Sequence, residues 1–284
     1  MISDDFNFNK VQCVFSDLDR TLLDKDSRIS EANLNAIEGL IRAGICFVPV
    51  TGRAYASLPA DLKKIPEIEY CITSNGTAVC RLSDGRPVLK RCLPKGFIKT
   101  FYEYFDTLGR CGLEFYYEGR AYTSREFYDD PVSFNQRRVE YVRTTRTPVD
   151  DLKSFAEEHD GEIDAICIIA PVGRFEELCV DVRRAFDGVY ITNSDSLYIE
   201  ISNILCGKKN AIADFCKMMG YDMNRTVAFG DNDNDADMLS AAGVGICVAN
   251  GTPKCIEAAD MLTAAHDEDG FAKGLELLMK GGKQ

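Results

Sequence analysis

Asp17 and Asp19 stand two residues apart in the segment FSDLDRTLLD, directly after the short apolar run from Val11 to Phe15. Asp231, Asn234 and Asp235 follow another apolar run, Thr226 to Phe229, in AFGDNDNDADML. Thr51, Gly52 and Arg53 close the run from Ile45 to Val50, and Ser74 and Asn75 follow the one that Ile72 closes. Carboxylates are hard oxygen donors, and with no imidazole or sulfur interleaved they suit magnesium. Three of them together repel one another unless a cation is present. The Thr51 hydroxyl and the N–H groups of the Thr-Gly turn suit a phosphate oxygen. Lys208 opens a helical pattern, where the helix dipole disfavours a cation, so it makes sense facing an anion or the carboxylates. Divalent cation, free carboxylate, hydrogen-bond donors and lysine together describe phosphoryl transfer, which needs a nucleophile, a proton donor and counter-charge. Of Asp17 and Asp19, one can attack while the other handles protons.

These residues converge only if the apolar runs are strands of one sheet pointing one way. Between the first two runs, Ser30 is the N-cap of a helix with Leu34, Ile37, Leu40 and Ile41 on one face, and Gly44 ends it. Strand, helix, strand at this spacing predicts βαβ units and a parallel sheet, whose ligands lie beyond the carboxyl ends of the strands. The last third has the same texture. A helix is predicted over 208–219, with Gly220 as its stop, then a strand over 226–229. A helix over 236–242 follows, then a strand over 244–248.

The middle is patterned differently and is rich in Phe and Tyr between Phe97 and Tyr141. Two similar flanks around a different centre predict one α/β domain built from residues 1–85 and 204–284, with a second domain, 86–203, inserted into it.

The whole-chain numbers narrow the function. With 284 residues, of which 45% are hydrophobic, the chain supports a real core. Its net charge of −12 disfavours a nucleic-acid partner. No apolar run approaches a membrane span, and the acidic opening MISDDFNFNK does not look like a secretory signal. The 12 cysteines form no C-x-x-C pair and fall largely in apolar runs, so they are expected to be buried, reduced and space-filling in a cytoplasmic protein. His159 and His266, in polar stretches, are expected at the surface, which leaves no multi-histidine metal site.

In order along the chain, FSDLDRTLLD, VPVTGR, GKKNAI and AFGDNDNDADML resemble the four motifs of the haloacid dehalogenase (HAD) superfamily. The SNG segment and the late ADMLT and DEDGFAKGL segments resemble its type IIB, Cof-like branch. The resemblance implies a Rossmann-like core with an inserted α/β cap that carries substrate specificity. It implies Asp17 as the nucleophile that forms an aspartyl-phosphate and Asp19 as general acid, then base. It places Asp17, the backbone carbonyl of Asp19, and Asp231 on Mg2+, with Asp235 in the metal site. Thr51, Gly52, Arg53, Asn75, Lys208 and Asn234 form the expected phosphate- and substrate-binding set. Arg20 and Lys209 depart from the family pattern, since glycine is frequent at both positions.

The expected activity is hydrolysis of a small phosphorylated metabolite, such as a sugar phosphate or phosphorylated cofactor precursor, by a monomer or small homo-oligomer. The alternatives are a phosphomutase with the same aspartyl-phosphate, and a receiver-type signalling domain. The inserted middle and the Asp17/Asp19 pair argue against the receiver. Most aromatics of the middle are expected in its own core, and the arginine-rich run 136–143 on an exposed helix face.

Overall fold

A computed structural model describes residues 7–281. Most of the opening segment, read as lacking a secretory signal, lies outside these residues. The chain falls into two compact units: residues 1–51, 58–88 and 207–284 in one, 52–57 and 89–206 in the other. The boundaries lie a few residues beyond those expected from patterning, and the short segment 52–57 groups with the insert.

The first flank runs β1 (Cys13–Ser16), α1 (Glu31–Arg42), β2 (Cys46–Pro49), β3 (Tyr70–Thr73), β4 (Ala78–Arg81) and β5 (Pro87–Lys90). Ser30 caps α1 by accepting a hydrogen bond from Asn33 N at 3.2 Å. The insert continues with α2 (Phe97–Phe105), β6 (Gly112–Tyr117), β7 (Arg120–Ser124), α3 (Arg125–Asp129) and α4 (Val139–Thr145). It ends with β8 (Arg146–Val149), α5 (Leu152–Glu158), β9 (Ala165–Ile169), α6 (Phe175–Ala185), β10 (Val189–Asp195) and β11 (Tyr198–Asn203). The second flank contributes α7 (Lys208–Met219), β12 (Thr226–Gly230), α8 (Ala236–Ala241), β13 (Val244–Val248), α9 (Pro253–Ala258), β14 (Met261–Thr263) and α10 (Gly270–Gly281).

In the first unit, β14-β13-β12-β1-β2 form one parallel sheet. Because strand side chains alternate, β1 sends Phe15 to one face, 5.8 Å from Phe215 of α7. Phe229, in register with Ser16, points the other way, 4.7 Å from Phe271 of α10. Both faces are therefore covered, which explains strands that are apolar throughout. The third strand is not laddered into this sheet. It joins β2 through the single parallel bridge Val50–Ile72, and leads instead into a small sheet ordered β3-β4-β5. Its direction is still that of β1 and β2, so its end arrives beside Thr51.

The second unit is a six-stranded sheet ordered β10-β11-β9-β6-β7-β8, antiparallel except for β7 and β8. Ile98 and Phe101 of α2, Ala156 of α5, and Leu178 and Val182 of α6 pack on Phe115, Ile166 and Ile199 of the sheet. Phe101, Tyr102 and Phe115 are thus core residues, as expected for most of the aromatics. On the opposite face of β6, Glu114 is fully buried and receives Arg146 through two bonds of 2.7 and 2.9 Å. Arg137, Arg138 and Arg143 of the arginine-rich run are exposed.

None of the 12 cysteines is in a disulfide and, apart from Cys46 and Cys92, all are buried. Neither histidine is a plain surface residue. His266 is half-buried, its Nδ1 lying 2.8 Å from Leu23 O, and His159 stacks on Tyr117 with ring centroids 4.1 Å apart. No helix among the described residues is long and apolar enough to cross a membrane.

Candidate active site

Asp17 leaves β1 with its amide still donating to Phe229 O of β12 at 3.0 Å, which fixes it at the strand end. The chain then makes a wide helical turn over Leu18–Leu22, closed by Leu23 N to Leu18 O at 2.9 Å. Leu18 and Leu22 are fully buried and anchor this turn. Arg20 sits at its crest with φ +62°, a left-handed conformation that glycine adopts freely and arginine does not. That accounts for a position where glycine is frequent in the family pattern. The Arg20 side chain is 65% exposed, with Nε 3.7 Å from Asp231 Oδ2, a weak screened contact. Thr21 turns back to donate its hydroxyl to Asp231 Oδ1 at 3.0 Å.

The loop after β12 folds around Asp235. Its Oδ2 accepts from Asp231 N at 3.1 Å and from Asn232 N at 3.0 Å. A Cβ at Gly230 would lie 2.4 Å from the Asp235 Cβ, so only glycine lets the loop close this tightly. Thr252 braces the same loop, its hydroxyl donating to Asp233 Oδ1 at 2.7 Å and its amide to Asp231 O at 2.7 Å.

Lys208 begins α7 with 1% of its surface exposed, and its Nζ bonds Asp17 Oδ1 at 2.5 Å and Asp235 Oδ1 at 2.6 Å. The cation that the helix dipole disfavours is thus held by two carboxylates. Asp17, Asp231 and Asp235 each offer an oxygen within 4.8 Å of the others, and all three are buried. Burial is the largest cause raising Asp17 to about 7; Lys208 opposes it, while Asp235 and Asp19 add to it. Asp231 is pushed to about 9, again by burial first, then by Asp17 and Asp235, with the Thr21 bond and Lys208 opposing. Lys208 is raised because the two aspartates outweigh its desolvation. One lysine therefore does not offset three buried carboxylates, and a hard divalent cation fits this all-oxygen donor set.

The other expected residues take distinct places. Asp19 is half-buried, and its carboxylate is not in the three-residue cluster. Thr51 is buried, its amide donating to Ile72 O at 2.9 Å. Asn75 and Asn234 are buried and bonded to each other at 2.9 Å. Gly52 and Arg53 group with the second unit, where Arg53 Nη1 donates to Ser57 O at 3.2 Å and its guanidinium lies 5.5 Å over the Tyr141 ring. Sequence reasoning passed over two braces. Thr21 lies inside the DLDRT segment, so its type and place were visible. Thr252 carries no signal beyond following a strand-end Asn-Gly.

A family model described as haloacid dehalogenase-like hydrolase matches residues 14–275. The chain is similar to the protein named 5-amino-6-(5-phospho-D-ribitylamino)uracil phosphatase YitU of Bacillus subtilis, at 28% identity over 276 residues, covering 92% of this chain and 94% of that protein. It is similar to the HMP-PP phosphatase of Yersinia enterocolitica at 27% identity, covering 84% of each. The fold is that of the structure named HAD subclass IIB sugar phosphatase BT4131, with a TM-score of 0.80 and 20% identity, covering 94% of this chain and 98% of that one.

Proposed function

Because the chain belongs to the haloacid dehalogenase-like hydrolase family and is a phosphoric monoester hydrolase, we propose that it cleaves small phosphomonoesters by a magnesium-dependent route through an aspartyl-phosphate on Asp17. The observation that carries this reading is the bridge of buried Lys208 between Asp17 and Asp235, with Asp231 in the same carboxylate cluster.

An Asp17 oxygen attacks phosphorus and the ester P–O bond breaks, while Asp19 delivers its proton to the departing oxygen. Asp19, now a carboxylate, takes a proton from water as that water attacks the phosphorus of the acyl phosphate. Inorganic phosphate leaves and Asp17 is restored. Lys208 opposes the burial that raises Asp17 and offsets charge on the phosphoryl oxygens. Thr51 supplies a hydroxyl and the turn after it backbone donors. Asp17, the Asp19 carbonyl and Asp231 would hold magnesium, which when bound neutralises phosphoryl oxygens and orients the ester. Asp235 sits beside them, because Lys208 and two amides already engage both its oxygens.

The substrate class is a sugar phosphate or a phosphorylated cofactor precursor, in keeping with the named relatives. Specificity belongs to the inserted unit. Cysteines that form no disulfide suit a reducing, cytoplasmic setting.

Phosphate release over a panel of phosphorylated metabolites tests the reading. Wild type should release phosphate only with magnesium, and Asp17→Asn should abolish turnover while melting normally. Turnover in excess chelator, or near-normal rates for Asp17→Asn, would refute it. An isomeric sugar phosphate as product would make the enzyme a phosphomutase instead.

A further inference from the structure

Asn75 makes three bonds to three different segments of the first unit. Its amide donates to Thr51 O at 3.0 Å, and its carbonyl accepts from Gly207 N at 3.0 Å. Its Oδ1 accepts from Asn234 Nδ2 at 2.9 Å. The segments it joins are those that carry Thr51, Lys208 and Asn234.

The turn is built for this contact. Ser74 and Asn75 both have positive φ, +49° and +52°, a costly pair that persists only where surroundings enforce it. Gly76 follows at φ +88°, where an added Cβ would lie 2.6 Å from Gly207 O. The turn is thus pressed against the residue that precedes Lys208. Asn75 itself is 4% exposed, and its carbonyl, amide and Oδ1 are all engaged by protein.

The consequence falls on Asn234. Its NH2 edge is held by Asn75, and its buried Oδ1 has no hydrogen-bond partner among the described residues. A buried acceptor left without a donor bears its desolvation cost uncompensated, so it calls for a donor from elsewhere. A substrate hydroxyl and the attacking water both supply one.

We propose that Asn75 is a positioning residue: it fixes the Asn234 amide so that its acceptor edge meets a hydroxyl or water in the reacting complex, and it ties that amide to the Lys208 segment. This gives Asn75 a role beside the expected one in phosphate binding, and it rests on the proposed phosphatase site. Asn75 acts through Asn234, so the two side chains must behave as one unit.

The test is a double-mutant cycle with Asn75→Gly, Asn234→Ala and the double variant. Glycine keeps the left-handed backbone and both main-chain bonds, and removes only the link to Asn234. Hydrolysis of p-nitrophenyl phosphate in magnesium should show each single variant losing about tenfold to a hundredfold in kcat, with KM changed less than about threefold. The double variant should fall no lower than the slower single. Multiplying losses, a loss confined to KM, or an Asn75→Gly kcat within about twofold of wild type would each overturn the proposal. If Asn75→Gly does not fold, Asn234→Ala alone decides, since a kcat within about twofold of wild type is incompatible with the role. A wild type that releases no phosphate would sink the proposed function instead. The same cycle on melting temperature would then judge the link, non-additive losses supporting it and additive losses overturning it.

Discussion

Replacing Lys208 with alanine removes the cation that touches both Asp17 and Asp235. The bonds it loses, 2.5 and 2.6 Å, are buried and charge-assisted, a class worth about 1.5–3 kcal/mol each. Breaking a buried ion pair by deleting one partner costs about 3–5 kcal/mol, because the surviving charge stays desolvated. On the proposed route magnesium would recover part of this in the ground state but would not reproduce a donor placed against the Asp17 oxygen. The expected loss of transition-state stabilisation is therefore about 3–4 kcal/mol, or two to three orders of magnitude in kcat at about 1.4 kcal/mol per tenfold. The pH–rate profile adds a second signature. Lys208 lowers the proton affinity of Asp17, so without it the acidic limb should move to higher pH. The assay is kcat for p-nitrophenyl phosphate across pH in saturating magnesium, with Lys208→Met beside Lys208→Ala to separate lost charge from lost volume. A folded Lys208→Ala enzyme within about tenfold of wild type would refute the reasoning, as would an acidic limb that stays in place.

Burial raises both Asp17 and Asp231 above their unfolded values, so their contribution to stability is full below about pH 4 and is lost as pH rises through about 7 and then about 9. Added magnesium should therefore raise the melting temperature more at about pH 9 than at about pH 5.5; scanning calorimetry giving the opposite order would contradict the site. In the inserted unit, Arg146→Ala leaves Glu114 buried without its partner and should cost about 3–5 kcal/mol in urea unfolding, whereas Glu114→Gln with Arg146→Met should recover most of it. Arg20→Gly relieves a left-handed φ at the expense of a contact of 3.7 Å to Asp231, and should stabilise the protein by about 0.5–1 kcal/mol.

The gathering of Asp17, Asp231, Asp235 and Lys208 was legible because each has a local signature. The aspartates end apolar runs bounded by turn residues, and Lys208 stands where a helix start disfavours a cation. What was not legible depends on pairings between distant residues. Nothing local marks Glu114 as fully buried, since its burial rests on a guanidinium 32 residues away. Segment 52–57 joins the insert through Ala56 N to Gly119 O, a bond that patterning cannot reveal. The roles proposed for Asp235 and Asn75 likewise rest on which of their oxygens are already taken, a property of the folded loops rather than of residue type.

The neighbours of β1 have a kinetic consequence. β2 is close in sequence, but β12 and α7 enter the chain only after the whole insert, and the bonds from Lys208 to Asp17 and from Thr21 to Asp231 span 191 and 210 residues. During synthesis, the amino-terminal flank emerges with one edge of β1 unpaired and must wait for the carboxyl-terminal flank. Contacts of such long range slow folding and leave that edge open to wrong partners in the meantime. The carboxylate cluster is thus completed only after β12 and the loop that follows it have emerged from the ribosome, and a truncation before β12 yields a polypeptide without Asp231, Asn234 and Asp235.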